Sequence, residues 1–91
     1  MNKKHKIRKK IDLIDQKLLI LIKQRTQLVV KLIRIKKYKH EIVDNKRMNV
    51  VLKKIKKGSI KNKIDPKITK KIWIAMIKSY VDFQRKNFKK R

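Results

Sequence analysis

A chain of 91 residues with no cysteine, one glycine and one proline supports one domain with a small core, excludes a disulfide scaffold and favours long uninterrupted helices. Its 31 Lys and Arg against 6 Asp and Glu give a formal charge of +25, which attracts nucleic acid and other anions without sequence preference. Lysine nevertheless outnumbers arginine about fourfold and is spread over every segment, and isoleucine and asparagine are abundant too; this fits A+T-biased coding of a solvated surface better than a dedicated nucleic-acid function.

In chain order, Ile7, Ile11, Ile14, Leu18, Leu21, Leu28, Leu32 and Ile35 recur at alternating four- and three-residue spacing and predict a first helix from about His5 to about Lys39. At ~1.5 Å per residue it is ~50 Å long, against a radius of gyration of ~13 Å for a compact chain of this size, so one chain cannot cover its apolar seam. The seam has one interruption, Arg25, which would be buried. Lys37 to Val43 reads as a connection, with Asp44 or Asn45 able to cap a second helix. That helix carries Val50, Val51 and Ile55 and runs from about residue 45 to 57, where Gly58 marks its end. Ser59 to Ile64 is then a polar linker. Asp65 and Pro66 start a third helix that runs to about Lys89, with Ile68, Ile72, Trp73, Met76, Tyr80 and Phe83 on its inner face and Gln84 beside them. The expected fold is all-α: a long, a short and a medium helix in a single domain spanning residues 1–91. The longest apolar runs, such as Leu18 to Ile22, have five residues, and no leader peptide precedes them, so the expected location is the cytoplasm with no membrane partner.

The residue inventory is poor in nucleophiles and metal ligands: there is no cysteine, and the two histidines, His5 and His40, fall near a terminus and in the connection. Asp12 and Asp15 share a helix face, but Arg8, Lys9 and Lys17 flank them, so ion pairing is their reading rather than acid–base chemistry. What remains is a set of cations on an apolar framework. A guanidinium in an apolar seam is costly to desolvate unless it is paired, and Leu21, Ile22, Leu28 and Val29 around Arg25 supply no carboxylate. Eleven helical residues separate Arg25 from Lys36, ~20° of net rotation and ~16 Å of rise, so both side chains can converge on one small anion. Arg8 is ~25 Å from Arg25 along the helix and about −100° around it, and reaches that anion only from an antiparallel partner helix. Arg47 can be brought in by the connection, and Gln84 offers a neutral donor. Arg25 by itself equally fits a register-setting polar residue in a coiled coil; the five residues together indicate a site for a compact dianion.

These residues occur in the stretches Arg8-Lys-Lys-Ile-Asp12-Leu-Ile-Asp15-Gln-Lys-Leu-Leu, Arg25-Thr-Gln-Leu-Val, Lys36, Asp44-Asn-Lys-Arg47, Ile64-Asp65-Pro66 and Gln84, whose order and spacing resemble the all-helical class of chorismate mutase over nearly the full chain. The resemblance implies an intertwined homodimer with two sites, each bounded by both chains, a dicarboxylate substrate and no cofactor. It implies that Arg8 of the partner and Arg25 pair with the substrate carboxylates, that Arg47 adds positive charge, and that Lys36 and Gln84 donate to the ether oxygen. Conversion of chorismate to prephenate, a step toward phenylalanine and tyrosine, is an intramolecular pericyclic rearrangement that needs only a held conformer and stabilised charge on the breaking C–O bond.

The sequence departs from that pattern twice. Where these mutases usually have a glutamate after the second-helix arginine, this chain has Met48, and where they have a serine four residues before the glutamine it has Tyr80, with Ser79 one position off. Both departures resemble the sister isochorismate–pyruvate lyases, which use the same cationic pocket on the way to salicylate. Asp44, three residues before Arg47, resembles the mutases. The mutase is the reading adopted, with the lyase as the alternative and a non-enzymatic basic helical dimer that binds nucleic acid as the second alternative.

Overall fold

Asn2 opens the first helix by accepting the His5 N–H on its Oδ1 at 2.8 Å, one of the donors that a helix N-terminus leaves without an intrahelical partner. A computed structural model describes residues 2–88 of the chain, and among these there are three α-helices, one 3-10 helix and no strand. Helix α1 spans Lys3–Ile35, the 3-10 helix Lys39–Ile42, α2 Asn45–Lys61 and α3 Pro66–Asn87. The chain divides into two compact units, Met1–Leu32 and Ile33–Arg91. The first holds α1 as far as Leu32, and along the whole helix the apolar seam is open: exposure of the eight seam residues ranges from 48% at Leu32 to 73% at Ile35. Arg25 is partly, not fully, buried.

In the second unit α2 and α3 pack against each other and the 3-10 helix lies on α3. Met48, Val51, Leu52, Ile55 and Ser59 form the covered stripe of α2 at three- and four-residue spacing. On α3 the covered stripe is centred on Pro66, Thr69, Trp73, Ile77, Tyr80 and Gln84, flanked by Met76 and Phe83 on the side the sequence predicts and by Ile74 and Val81 on the other. The inner face is therefore rotated from the one the sequence predicts, since Ile68 and Ile72 are exposed. Two polar residues account for the rotation. Ser59 is buried and its hydroxyl lies 2.6 Å from that of Thr69 while it also donates to the Ile55 carbonyl, and Gln84 is buried at the other end of α3. Leaving either group unpartnered inside would cost about 1–3 kcal/mol, so their partners fix which face of α3 turns inward.

The helix ends also differ from expectation. Helix α1 stops at Ile35, four residues before Lys39. Helix α2 continues through Gly58 and Ser59 to Lys61, so the linker is short. Its termination is a Schellman motif: Lys63 N–H donates to the Ile60 carbonyl at 3.1 Å and Ile64 N–H to the Ser59 carbonyl at 2.8 Å. The left-handed residue of that motif is Lys63, with φ 58°, and Gly58 has ordinary helical backbone. Asp65 caps α3 by accepting from Lys67 N–H at 2.9 Å, with Pro66 in the first turn. Phe88 is extended and ends α3 after Asn87; the expected helix end at Lys89 lies outside the described residues.

Gly58 thus carries the entropic penalty of glycine in a helix interior with no conformational need for it, and a Cβ there meets nothing within 4 Å. Gly58→Ala should stabilise the protein by about 0.5–1 kcal/mol, and Lys63→Gly should relieve a left-handed penalty of roughly 1–2 kcal/mol, offset in part by the greater freedom of glycine when unfolded. Both should raise the urea midpoint at unchanged slope. A lower midpoint for Gly58→Ala would mean that the added methyl meets a second chain.

Candidate functional site

Lysine can only donate hydrogen bonds, so its partner's orientation is chemically fixed. Lys36 Nζ donates to Gln84 Oε1 at 2.7 Å, joining residues 48 apart in sequence. Gln84 is 8% exposed and Lys36 partly buried. With its oxygen on the ammonium, the Gln84 amide turns its Nε2 protons away from Lys36. The ammonium's remaining protons and the amide's own are all donors, so the chemistry of the pair suits an acceptor.

Lys36 owes its position to a break in α1. The sequence places it on the continuing helix, eleven residues from Arg25; the structure places it one residue past the end. Its N–H is drawn to the Ile33 carbonyl at 3.2 Å in a tightened last turn. The next two amides leave the helix altogether, because Glu41 Oε2 accepts from Lys37 N–H at 2.8 Å and Tyr38 N–H at 2.7 Å. The Glu41 N–H closes the turn by donating to the Tyr38 carbonyl at 3.1 Å. Glu41 has no role in the sequence reading, which passes over 37–43 as a plain connection. A signal was present: Tyr38-x-x-Glu41 has the spacing of a capping box, with tyrosine where serine or threonine normally announces one.

The site's other expected residues in this unit are distributed as follows. Asp44 is exposed and caps α2, its Oδ1 accepting from Arg47 N–H at 2.9 Å. Arg47 is exposed in the first turn of α2, and Met48, one residue on, is half-buried. Tyr80 is half-buried one turn before Gln84 and meets Phe83 edge to face, with ring centroids 6.5 Å apart at 89°. Arg8 and Arg25 belong to the first unit: Arg8 is exposed near the start of α1, and Arg25 stands one turn after Leu21. A groove of about 340 Å³ between α2 and α3, floored by Leu52, Ile55 and Pro66, contains none of the expected site residues. Among the described residues, no group of three or more His, Asp or Glu is placed to hold a metal ion, and no helix is long and apolar enough to cross a membrane.

Burial lowers the Lys36 pKa, and the Asp44 and Glu41 carboxylates oppose that shift. In Glu41 the Tyr38 amide is the largest influence and holds the carboxyl below its ordinary range, with the Lys37 amide and the charges of His40 and Lys36 acting in the same direction. The signs for folding follow. Protonated Lys36 opposes folding below its folded pKa, and stability recovers as pH rises from that value toward the unfolded one. Ionised Glu41 supports folding above its unfolded pKa, a contribution lost as pH falls through the folded value. Side-chain NMR titration should place Lys36 below the ordinary lysine range. Asp44→Asn, which keeps a good cap but removes the charge, should push Lys36 further down; an upward shift would contradict the assigned electrostatics.

Compared with known families, the chain matches the family model described as Chorismate mutase type II over residues 7–85. That span runs from the first residue of the α1 seam to the residue after Gln84. No curated protein and no solved structure gives a significant match.

Proposed function

From the premise that the chain belongs to the chorismate mutase type II family, we propose that it is a chorismate mutase, an isomerase that rearranges chorismate to prephenate in the cytoplasm without a cofactor. The observation that carries this reading is the Lys36–Gln84 pair, joined at 2.7 Å with its remaining polar protons all donors. As the ether C–O bond of chorismate lengthens, negative charge grows on an oxygen that has lone pairs and no proton. A preorganised ammonium beside a buried amide stabilises that charge more in the transition state than in the ground state, which is the only kind of binding that raises turnover. The rearrangement forms a C–C bond as the C–O bond breaks, within one molecule, and needs no nucleophile from the protein. Arg25 and Arg8 of a second chain pair with the substrate carboxylates, Arg47 adds positive charge, and Asp44 caps the first turn of α2, which carries Arg47.

The second chain enters through α1. An isolated helix in water gains little from intrinsic propensity, and most helical stability in proteins comes from burying an apolar face. The α1 seam is about half exposed at every position, so a second copy of α1 is its natural cover, in an intertwined homodimer that is a single domain as a pair. Full burial of each seam leucine or isoleucine is worth about 1.5–3 kcal/mol relative to exposure. The dimer also supplies the antiparallel helix from which Arg8 reaches the site of Arg25.

A second reading is favoured by one feature. Met48 is half-buried where the mutase pattern has glutamate, so it brings no polar contact to the substrate hydroxyl. An isochorismate–pyruvate lyase, which eliminates pyruvate to leave salicylate, fits that apolar position. Purified protein offered chorismate and isochorismate separately should yield prephenate from the first, and Met48→Glu should increase that turnover. Salicylate and pyruvate from isochorismate, with loss of activity in Met48→Glu, would establish the lyase instead.

Lys36→Ala should lower turnover by ~10²–10³ with a smaller effect on KM, and Gln84→Ala should cost less because the amide has no full charge. Mixing inactive Arg8→Ala and Arg25→Ala chains should regenerate one intact site per heterodimer, in particles that sediment at twice the chain mass. Exchange of subunits without recovered activity would remove the shared site.

A further inference from the structure

We infer that Glu41 is a positioning residue for Lys36, its carboxylate gathering the two backbone amides that follow Lys36 so that the ammonium is aimed at Gln84. The inference rests on Lys36 being the cation of the reaction proposed above. One oxygen, Glu41 Oε2, takes Lys37 N–H at 2.8 Å and Tyr38 N–H at 2.7 Å, while the Glu41 N–H returns to the Tyr38 carbonyl at 3.1 Å. Residues 37–41 are thereby closed into a clasp whose first member adjoins Lys36. The clasp has a fixed base, since the next residue, Ile42, is 4% exposed and the 3-10 helix lies on α3, the helix that carries Gln84. Both ends of the Lys36–Gln84 bond are thus referred to α3: Gln84 as part of it, and Lys36 through Glu41 and Ile42.

The chemistry of the clasp is suited to holding a mobile cation. Lysine carries four rotatable carbons and loses up to ~2 kcal/mol of rotamer freedom when fixed; a wandering backbone under it would add more. Hydrogen bonds from amides to a carboxylate are short and about twice as strong as neutral ones. The chain has only 6 acidic residues against 31 cations, and three of them, Glu41, Asp44 and Asp65, accept backbone N–H groups beside a helix end. Glu41 differs from the other two in what it does to the helix before it. By drawing off the Lys37 and Tyr38 amides, it ends α1 where Lys36 must turn out of the helical path.

Glu41→Gln keeps an acceptor oxygen and removes the charge, whereas Glu41→Ala removes both, so the pair separates holding from electrostatic attraction. In Glu41→Ala, kcat on chorismate should fall about tenfold, the rate equivalent of one charge-assisted hydrogen bond, with KM nearly unchanged. Hydrogen exchange at the Lys37 and Tyr38 amides should accelerate, and the Gln84 side-chain amide resonances should move toward those of Lys36→Ala. Glu41→Gln should recover most of all three. If neither chorismate nor isochorismate is converted, the proposed reaction fails on its own, and the Gln84 resonances and amide exchange still decide the role of Glu41. Unmoved Gln84 resonances together with accelerated exchange in Glu41→Ala would overturn the inference, as would loss of kcat in Glu41→Gln equal to that in Glu41→Ala. Should Glu41→Ala fail to fold, Glu41→Asp, one methylene short of both amides, makes the same comparison.

Discussion

A lysine ammonium cannot be taken partly out of water without an acceptor, and the acceptor that Lys36 has is a buried amide oxygen on a helix 48 residues away. Much of the second unit follows from meeting that requirement. For Gln84 to face inward, α3 must turn Tyr80, Ile77 and Trp73 inward with it and leave Ile68 and Ile72 outside. For Lys36 to face Gln84, α1 must end before it, which the Glu41 carboxylate brings about by taking the next two amides. Asp44 then starts α2 and leaves its charge near enough to oppose the effect of burial on Lys36.

A second polar pair, the hydroxyls of Ser59 and Thr69, joins α2 to α3 near their turn, whereas Lys36 and Gln84 join the segment after α1 to the far end of α3. A hairpin of two amphipathic helices can slip or rotate at small energetic cost when its interface is uniformly aliphatic. The part-buried Ser59–Thr69 contact opposes such slippage, because an alternative register leaves a hydroxyl without that partner. Function benefits from the same economy: a donor array that stabilises charge in a transition state works only if it is already in place before the charge appears.

Helix α1 presents a different problem. Its seam is the most periodic feature of the chain and remains open to solvent in the single chain. Charge compounds the problem, since a surface at +25 repels a second copy of itself. In the proposed dimer, the seam supplies the attraction, and the dianionic substrate, held by arginines of both chains, offsets part of the repulsion at the site. Membership of the chorismate mutase type II family supports a chorismate mutase-like function; Met48 and Tyr80 are the positions at which the chain departs from the mutase pattern.

The sequence determined the helices themselves, because their signals are local: the seven-residue repeat of α1, the Asp44 cap and the Asp65-Pro66 start all act within one or two turns. It also singled out Lys36 and Gln84, through a spacing pattern shared with a family, and the fold joins the two by a hydrogen bond. Only the tertiary structure decided where the helices end and which way they face. Gly58 reads as a stop, yet Lys63 takes the left-handed position and α2 runs on; the Schellman bonds that require it come from residues on both sides of the turn. The inner face of α3 is misjudged by a fraction of a turn when apolar residues alone are counted, since Ser59 and Gln84, both polar, are among the most deeply buried side chains. Glu41 was signalled only by the Tyr38-x-x-Glu41 spacing of a capping box that lacks its usual serine or threonine. A carboxylate's role depends on which amides it reaches in space, and that spacing does not announce that Glu41 takes the Lys37 amide as well as that of Tyr38.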